Sequence, residues 1–152
     1  MKTYEVTTRT SRDSLPAESQ LAWRMAEVAA DRVEVESDVV DMIANRIIDN
    51  AAVAVASLSR RAVANARAQA VAHPYSPGAT IFGLNLNQRF SPEWVAWANG
   101  VAVRELDFHD TFLSREYSHP GDNISPILAV AQHTGHSGAV RPRHPFRREP
   151  LV

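Results

Sequence analysis

The chain contains no cysteine, and that absence removes disulfides, thiolate zinc sites, cysteine nucleophiles and cysteine-ligated iron–sulfur clusters from its chemistry. Lysine occurs once, at Lys2. An excess of one charge is missing too: 16 Lys and Arg face 17 Asp and Glu, for a formal net charge of -1. A chain so balanced exerts no general pull on nucleic acid or acidic membranes, so neither is expected as a partner and any affinity for anions must be local. No apolar run approaches the roughly 18 residues of a membrane helix, and the first residues lack a basic stretch followed by an apolar core, which together predict a cytoplasmic protein. Glycine spacings that cradle phosphates, the zinc-protease helix motif and internal repeats are all absent.

What is present is a chain of 152 residues, 45% hydrophobic and 22% charged, long enough for one globular domain with a real core. Residues 1–15 are polar without apolar periodicity and read as a mobile arm. After Pro16, Leu21, Met25, Val28 and then Arg32 or Val33 recur at helical spacing, with Trp23 expected in the core or at an interface. Ser37 or Asp38 can cap a long helix on which Val40, Ile43, Ile47, Ala51, Ala54 and Leu58 form an apolar stripe, and Asp38 to Leu58 is expected to be the central buried element. Asp49 and Asn50 can be functional, but read first as surface or helix-capping residues.

Arg60 to Ala72 reads as a third helix, stopped by His73-Pro74. Pro77-Gly78 reads as a turn, and Ala79 to Phe82 as a short extended segment. Ser91-Pro92-Glu93 is a helix start by capping serine, preset proline and acidic first turn. Gly100 in that helix suggests either a close contact or helix packing. Asp122 or Asn123 can cap a last helix in which Pro126 is expected to fall in the first turn. The sum is an all-α fold of about five helices.

From Asn99 to Asp122 the helical pattern runs into a dense polar segment. Asp107, His109, Asp110, Thr111, Arg115, Glu116, His119 and Asp122 bring acids, bases, a hydroxyl and a guanidinium onto one turn-rich loop, the mixture that proton-transfer chemistry needs. Asp107 or Asp110 can act as base or orient a histidine, and His119 can exchange a proton near neutral pH. Thr111, Arg104 or Arg115 can donate hydrogen bonds to substrate oxygens. His109 and Asp110 read equally well as residues that cap helices or fix the loop. Asp107, His109, Asp110, His119 and Asp122 are all competent metal ligands, but their spacing matches no closed metal motif and no metal is expected.

The run W-A-N-G-V-A-V-R-E-L-D-F-H-D-T, followed by S-H-P-G-D-N-I, resembles the signature region of the MmgE/PrpD family. The likeness extends over most of Asp38 to about Gly138, taking in I-I-D-N-A-A-V-A, G-A-T-I-F-G and P-I-L-A-V-A-Q. It implies a helical layer like the front part of that family's N-terminal helical domain, over residues 16–138. It also implies a hydro-lyase acting on a small tricarboxylate without cofactor or metal: 2-methylcitrate to 2-methyl-cis-aconitate and water, in propionate catabolism by the methylcitrate cycle. Decarboxylation of cis-aconitate is the alternative within the family, and a homodimer is a further implication. By this resemblance Asp107, Thr111 and His119 match active-site residues, with Arg104, His109, Asp110 and Arg115 placed around the substrate.

Members of the family are much longer, and a catalytic lysine and further histidines come from beyond the matched region. With Lys2 its only lysine, the chain reads as truncated and is expected to turn over little or no substrate. Residues 139–152 turn abruptly Arg- and Pro-rich, a divergent tail that resembles a shifted frame or early stop. The rival to an enzyme is a non-catalytic helical fragment, or an interaction module using its alanine-rich faces.

Overall fold

The computed structural model describes residues 8–31, 35–113, 115 and 117–137. The expected tail at 139–152, the first seven residues of the expected arm, and Arg32 and Val33 lie outside the described residues. The chain divides into two units, Met1–Glu34 and Val35–Val152.

In the first unit Thr10 donates from its amide and its hydroxyl to Asp13, closing a local turn. A 3₁₀ turn, Ala17–Ser19, then precedes helix α1, Leu21–Ala30. The spacing of Leu21, Met25 and Val28 does produce a helix, yet all three side chains are exposed. Of the core or interface place expected for Trp23, the core is excluded within this unit: the side chain is exposed, and its indole N–H donates to Glu27 one turn on, at 3.0 Å.

The second unit holds α2 (Ser37–Ala56), α3 (Arg61–Val71), the extended segment β1 (Pro74–Ala79), α4 (Pro92–Arg104), the short strands β2 (Phe112–Leu113) and β3 (Tyr117–Ser118), and α5 (Gly121–His133). Five α-helices among the described residues match the all-α expectation. The centre of the unit is not the one expected. It is α4, which packs against α2, α3, α5 and β1, and which buries Val95, Ala98, Asn99, Ala102 and Val103. One core cluster joins Val95 and Ala98 to Ala66 and Ala70 of α3, Ile81, Phe90 and Ala129 of α5; a second joins Ala102 and Val103 to Ala54 and Val63. Alanine and valine at these crossings let the helix axes approach closely.

Helix α2 is buried only at its C-terminal end. Val39, Val40, Met42, Ile43 and Ile48 are exposed, and only Asn50 and Ala54 are buried within it. A hydrophobic stripe predicts which face of a helix can be covered, not whether a neighbour reaches along its whole length. Neither Ser37 nor Asp38 sits at its N-cap, which is Glu36; Asp38 instead accepts from the Val39 amide at 2.9 Å.

Pro77-Gly78 lies within β1 rather than in a turn, the Ser76–Pro77 peptide being cis, and the segment is bridged at both ends to Phe90. Gly78 is needed there because a Cβ would meet the carbonyl oxygen of Phe90 at 2.5 Å. Beyond β1, buried Asn99 closes the backbone of the chain that crosses α4: its Oδ1 accepts from the Phe82 amide at 3.0 Å and its Nδ2 donates to the Thr80 carbonyl at 3.2 Å. Thr80 also donates its amide to Gln132 Oε1 of α5 at 2.8 Å. Arg67 donates to the Phe82 carbonyl, and partial burial lowers its pKa.

Pro92 opens α4 as expected, and the Ser91 hydroxyl with Glu93's own amide holds the Glu93 carboxyl below the usual carboxylate range. Gly100 has open space where a Cβ would stand, so no close approach requires it. In α5 the N-cap is Pro120, earlier than expected, and Pro126 therefore falls inside the helix, past the first turn. Its missing N–H cannot bond the Asp122 carbonyl one turn back, and both residues are exposed.

Candidate active site

Helix α4 ends at Arg104, and the chain leaves it through Asp107, whose φ of 56° is left-handed. Asp tolerates that conformation better than most side chains, and here it turns the backbone away from α4 toward α2 and α5. The expected single loop then forms a small antiparallel hairpin, with Phe112 opposite Ser118 and Leu113 opposite Tyr117. The hairpin returns the chain to Pro120 and the start of α5. Residues separated by up to 15 positions, from Asp107 to Asp122, are thereby drawn into one cluster between the end of α4 and the beginning of α5.

Asp110 is buried and anchors this cluster. Its Oδ1 accepts from the Gly121 amide at 3.0 Å and from Nδ2 of Asn50 on α2 at 3.4 Å, while its backbone carbonyl accepts from His119 Nδ1 at 3.0 Å. Thr111 Oγ1 lies 3.3 Å from the same nitrogen. A carbonyl oxygen can only accept, so neutral His119 carries its proton on Nδ1 and leaves Nε2 as the open position.

His109 is buried, its ring centroid 4.4 Å from that of His119 and tilted by 59°. Its Nε2 meets Arg104 Nη1. A guanidinium can only donate, which makes Nε2 the acceptor and puts the His109 proton on Nδ1, where no hydrogen-bond partner stands. Asp107 Oδ1 is 3.8 Å from that Nδ1, too far for a hydrogen bond, and the Asp107 side chain is 84% exposed. Arg104 also lies 3.6 Å from Asp122 Oδ1, a half-exposed pair of small energetic weight.

The structure therefore brings together Arg104, Asp107, His109, Asp110, Thr111, His119 and Asp122. Arg115 is exposed on the turn between β2 and β3, and among the described residues no hydrogen bond or ion pair ties it to the cluster. Glu116 lies outside the described residues. Of the two readings held open for His109 and Asp110, the arrangement supports the fixing of the loop: both are buried and bonded to the backbone or to the end of α4. Among the described residues no three His, Asp or Glu side chains converge as a metal site would require.

Sequence reasoning placed Asn50 on the surface or at a cap, and the structure corrects this: Asn50 has no exposed area and touches the loop 60 positions away. The signal was available in its place on α2, since it lies three residues from Ile47 and four from Ala54 and so shares a face with the stripe. Nothing in the sequence pattern marks Gly121. It has no room for a side chain: a Cβ would stand 2.5 Å from Asp110 Oδ1 and closer still to Asn50 Oδ1.

Comparison with known proteins gives the class. The model of the MmgE/PrpD N-terminal domain matches residues 19–142, and this chain belongs to that family. It is similar to 2-methylcitrate dehydratase of Cupriavidus necator, 31% identical over 123 residues that make up 80% of this chain and 25% of that protein. It is similar also to the probable 2-methylcitrate dehydratase of Saccharomyces cerevisiae, 37% identical over 71 residues, 44% of this chain and 14% of the relative. With 2-methylcitrate dehydratase of Escherichia coli it shares 44% identity over 43 residues, 28% of this chain and 9% of that protein. The chain spans no more than about a quarter of the length of these relatives. No solved structure matches it. Among the described residues no helix is long and apolar enough to cross a membrane.

Proposed function

We propose that the cluster between α4 and α5 is one side of a hydro-lyase site for 2-methylcitrate. The reaction takes a proton from the carbon beside a carboxylate and expels the neighbouring hydroxyl as water, so it needs a base, an acid and donors for the carboxylates. The observation that carries this reading is the state of His119: Nδ1 is held by a backbone carbonyl beside Thr111, and Nε2 is left to exchange the proton. Asp107 is the second proton-exchanging group. Thr111 and Arg104 are the donors for the substrate carboxylates, with exposed Arg115 of the hairpin as a further one, while buried His109 and Asp110 hold Arg104 and the loop in place around them. The names of the relatives support this substrate, and a cis-aconitate decarboxylase reaction would use the same groups.

This chain on its own is expected to show little or no turnover. Asp107 and Thr111 are exposed, so water is not excluded and the donors are not held in advance of the transition state. Binding is the direct test. Titration of the purified chain with 2-methylcitrate, followed by nuclear magnetic resonance, is expected to shift the His119 ring and Thr111 signals saturably, with cis-aconitate competing for them. Unmoved loop signals at millimolar ligand would remove the assignment. The rival reading as a non-catalytic fragment predicts that unmoved result.

A further inference from the structure

The contact between α2 and the loop is the least expected of the site's features. Asn50 is wholly buried, and its amide group has two jobs: Nδ2 donates to the Arg46 carbonyl of its own helix at 2.8 Å and to Asp110 Oδ1 at 3.4 Å. Asp110 Oδ1 at the same time takes the Gly121 amide at the start of α5. Gly121 leaves no space between the two side chains, so α5 begins directly against them. The Asp110 carbonyl, one short peptide plane away, is the acceptor for His119 Nδ1. Asn50 Oδ1 has no partner of its own, so the hold of Asn50 on the loop runs through Nδ2, and removing that donor leaves a buried carboxylate oxygen with the Gly121 amide alone.

We propose that Asn50, Asp110 and Gly121 form a clamp that positions His119: Asn50 fixes the Asp110 carboxylate against α5, and the Asp110 backbone carbonyl thereby selects the Nδ1–H tautomer of His119. Asn50 is a positioning residue and touches neither substrate nor His119. The proposal rests on the role given to His119 above only for its consequence in catalysis; the clamp itself is read from the imidazole. Groups facing His119 are the Thr111 hydroxyl, the His109 ring at 4.4 Å and the Tyr117 ring at 6.1 Å. Behind His109 stand Arg104, Asp107 and Asp122. None of these contacts involves Asn50, so a change at Asn50 reaches His119 through the two members of the clamp it touches, Asp110 and Gly121.

The test uses the whole chain labelled with nitrogen-15, with the tautomer of His119 read from its two ring-nitrogen shifts while the ring is neutral. In the unsubstituted protein the Nδ1–H form is expected to dominate. In Asn50→Ala, with the α4 and α5 amide signals preserved, its share is expected to fall at least about twofold as the ring relaxes toward the Nε2–H form that free imidazole side chains favour. Asn50→Asp keeps the volume but sets a carboxylate against Asp110; it serves if the alanine variant does not fold, and the same fall is expected. Restoring one donor across the contact by pairing Asn50→Asp with Asp110→Asn is expected to recover most of the Nδ1–H share, which mere loss of packing would not allow. An Nε2–H form dominating the unsubstituted protein, or a share unmoved in every folded Asn50 variant, overturns the clamp. Because no ligand is added, a tautomer shift alongside failed 2-methylcitrate binding sinks the functional reading and leaves the clamp standing.

Discussion

At the scale of single residues the site is held by positions with no freedom to vary. Gly121 is one: with a Cβ pressed on both Asn50 and Asp110, Gly121→Ala is expected to cost about 1–3 kcal/mol through forced displacement. Denaturant melts of the variant would show this as a lowered midpoint, and an unchanged midpoint would mean that α2 and α5 can separate freely. Asp107 is the opposite case. Its left-handed backbone disfavours most side chains, so Asp107→Gly is expected to be neutral or stabilising by up to about 1 kcal/mol while removing the carboxylate. Measured beside 2-methylcitrate binding, that variant separates the turn that Asp107 makes from the chemistry its carboxylate would do; a marked loss of stability would show that the left-handed turn is not a strain on the fold.

At the scale of elements the two ends of α2 have different fates. Its last turns meet α4 and the loop, whereas Val40, Met42, Ile43 and Ile48 face outward. Ile48→Ala, at a side chain 66% exposed, is therefore expected to change stability by no more than about 0.5 kcal/mol. Ile81→Ala, at a side chain 2% exposed between α3 and α4, is expected to cost about 2–5 kcal/mol by leaving a cavity. Equal effects in thermal or urea unfolding would mean that α2 is covered along its length. The hairpin adds to the exposed apolar surface with Phe112, Leu113 and Tyr117, beside Phe108.

At the scale of the whole molecule that exposed surface has a consequence for solution behaviour. Large apolar side chains on α2 and around the hairpin exceed what scattered surface residues explain, and contiguous apolar surface favours association. A homodimer, which the family resemblance implies, or a larger assembly is expected to appear in sedimentation velocity as the concentration is raised. A monodisperse monomer over the same range, melting cooperatively, would count against it.

Much of this architecture was legible in the chain itself. The five helices follow from periodicity, from Pro92 at a helix start and from His73-Pro74 at a helix end, because local sterics and hydrogen bonding act over a few residues. The cluster of polar residues from Asp107 to His119 was legible for the same reason, and its family resemblance agrees with the family found by comparison. Tertiary structure decided the rest. Burial depends on which neighbours arrive, and so α4 rather than α2 became the centre and Gly100 met nothing. Asn50 and Asp110 lie 60 positions apart, and only the packing of α2 beside the end of α4 and the start of α5 makes one amide, one carboxylate and one glycine into the support of a histidine.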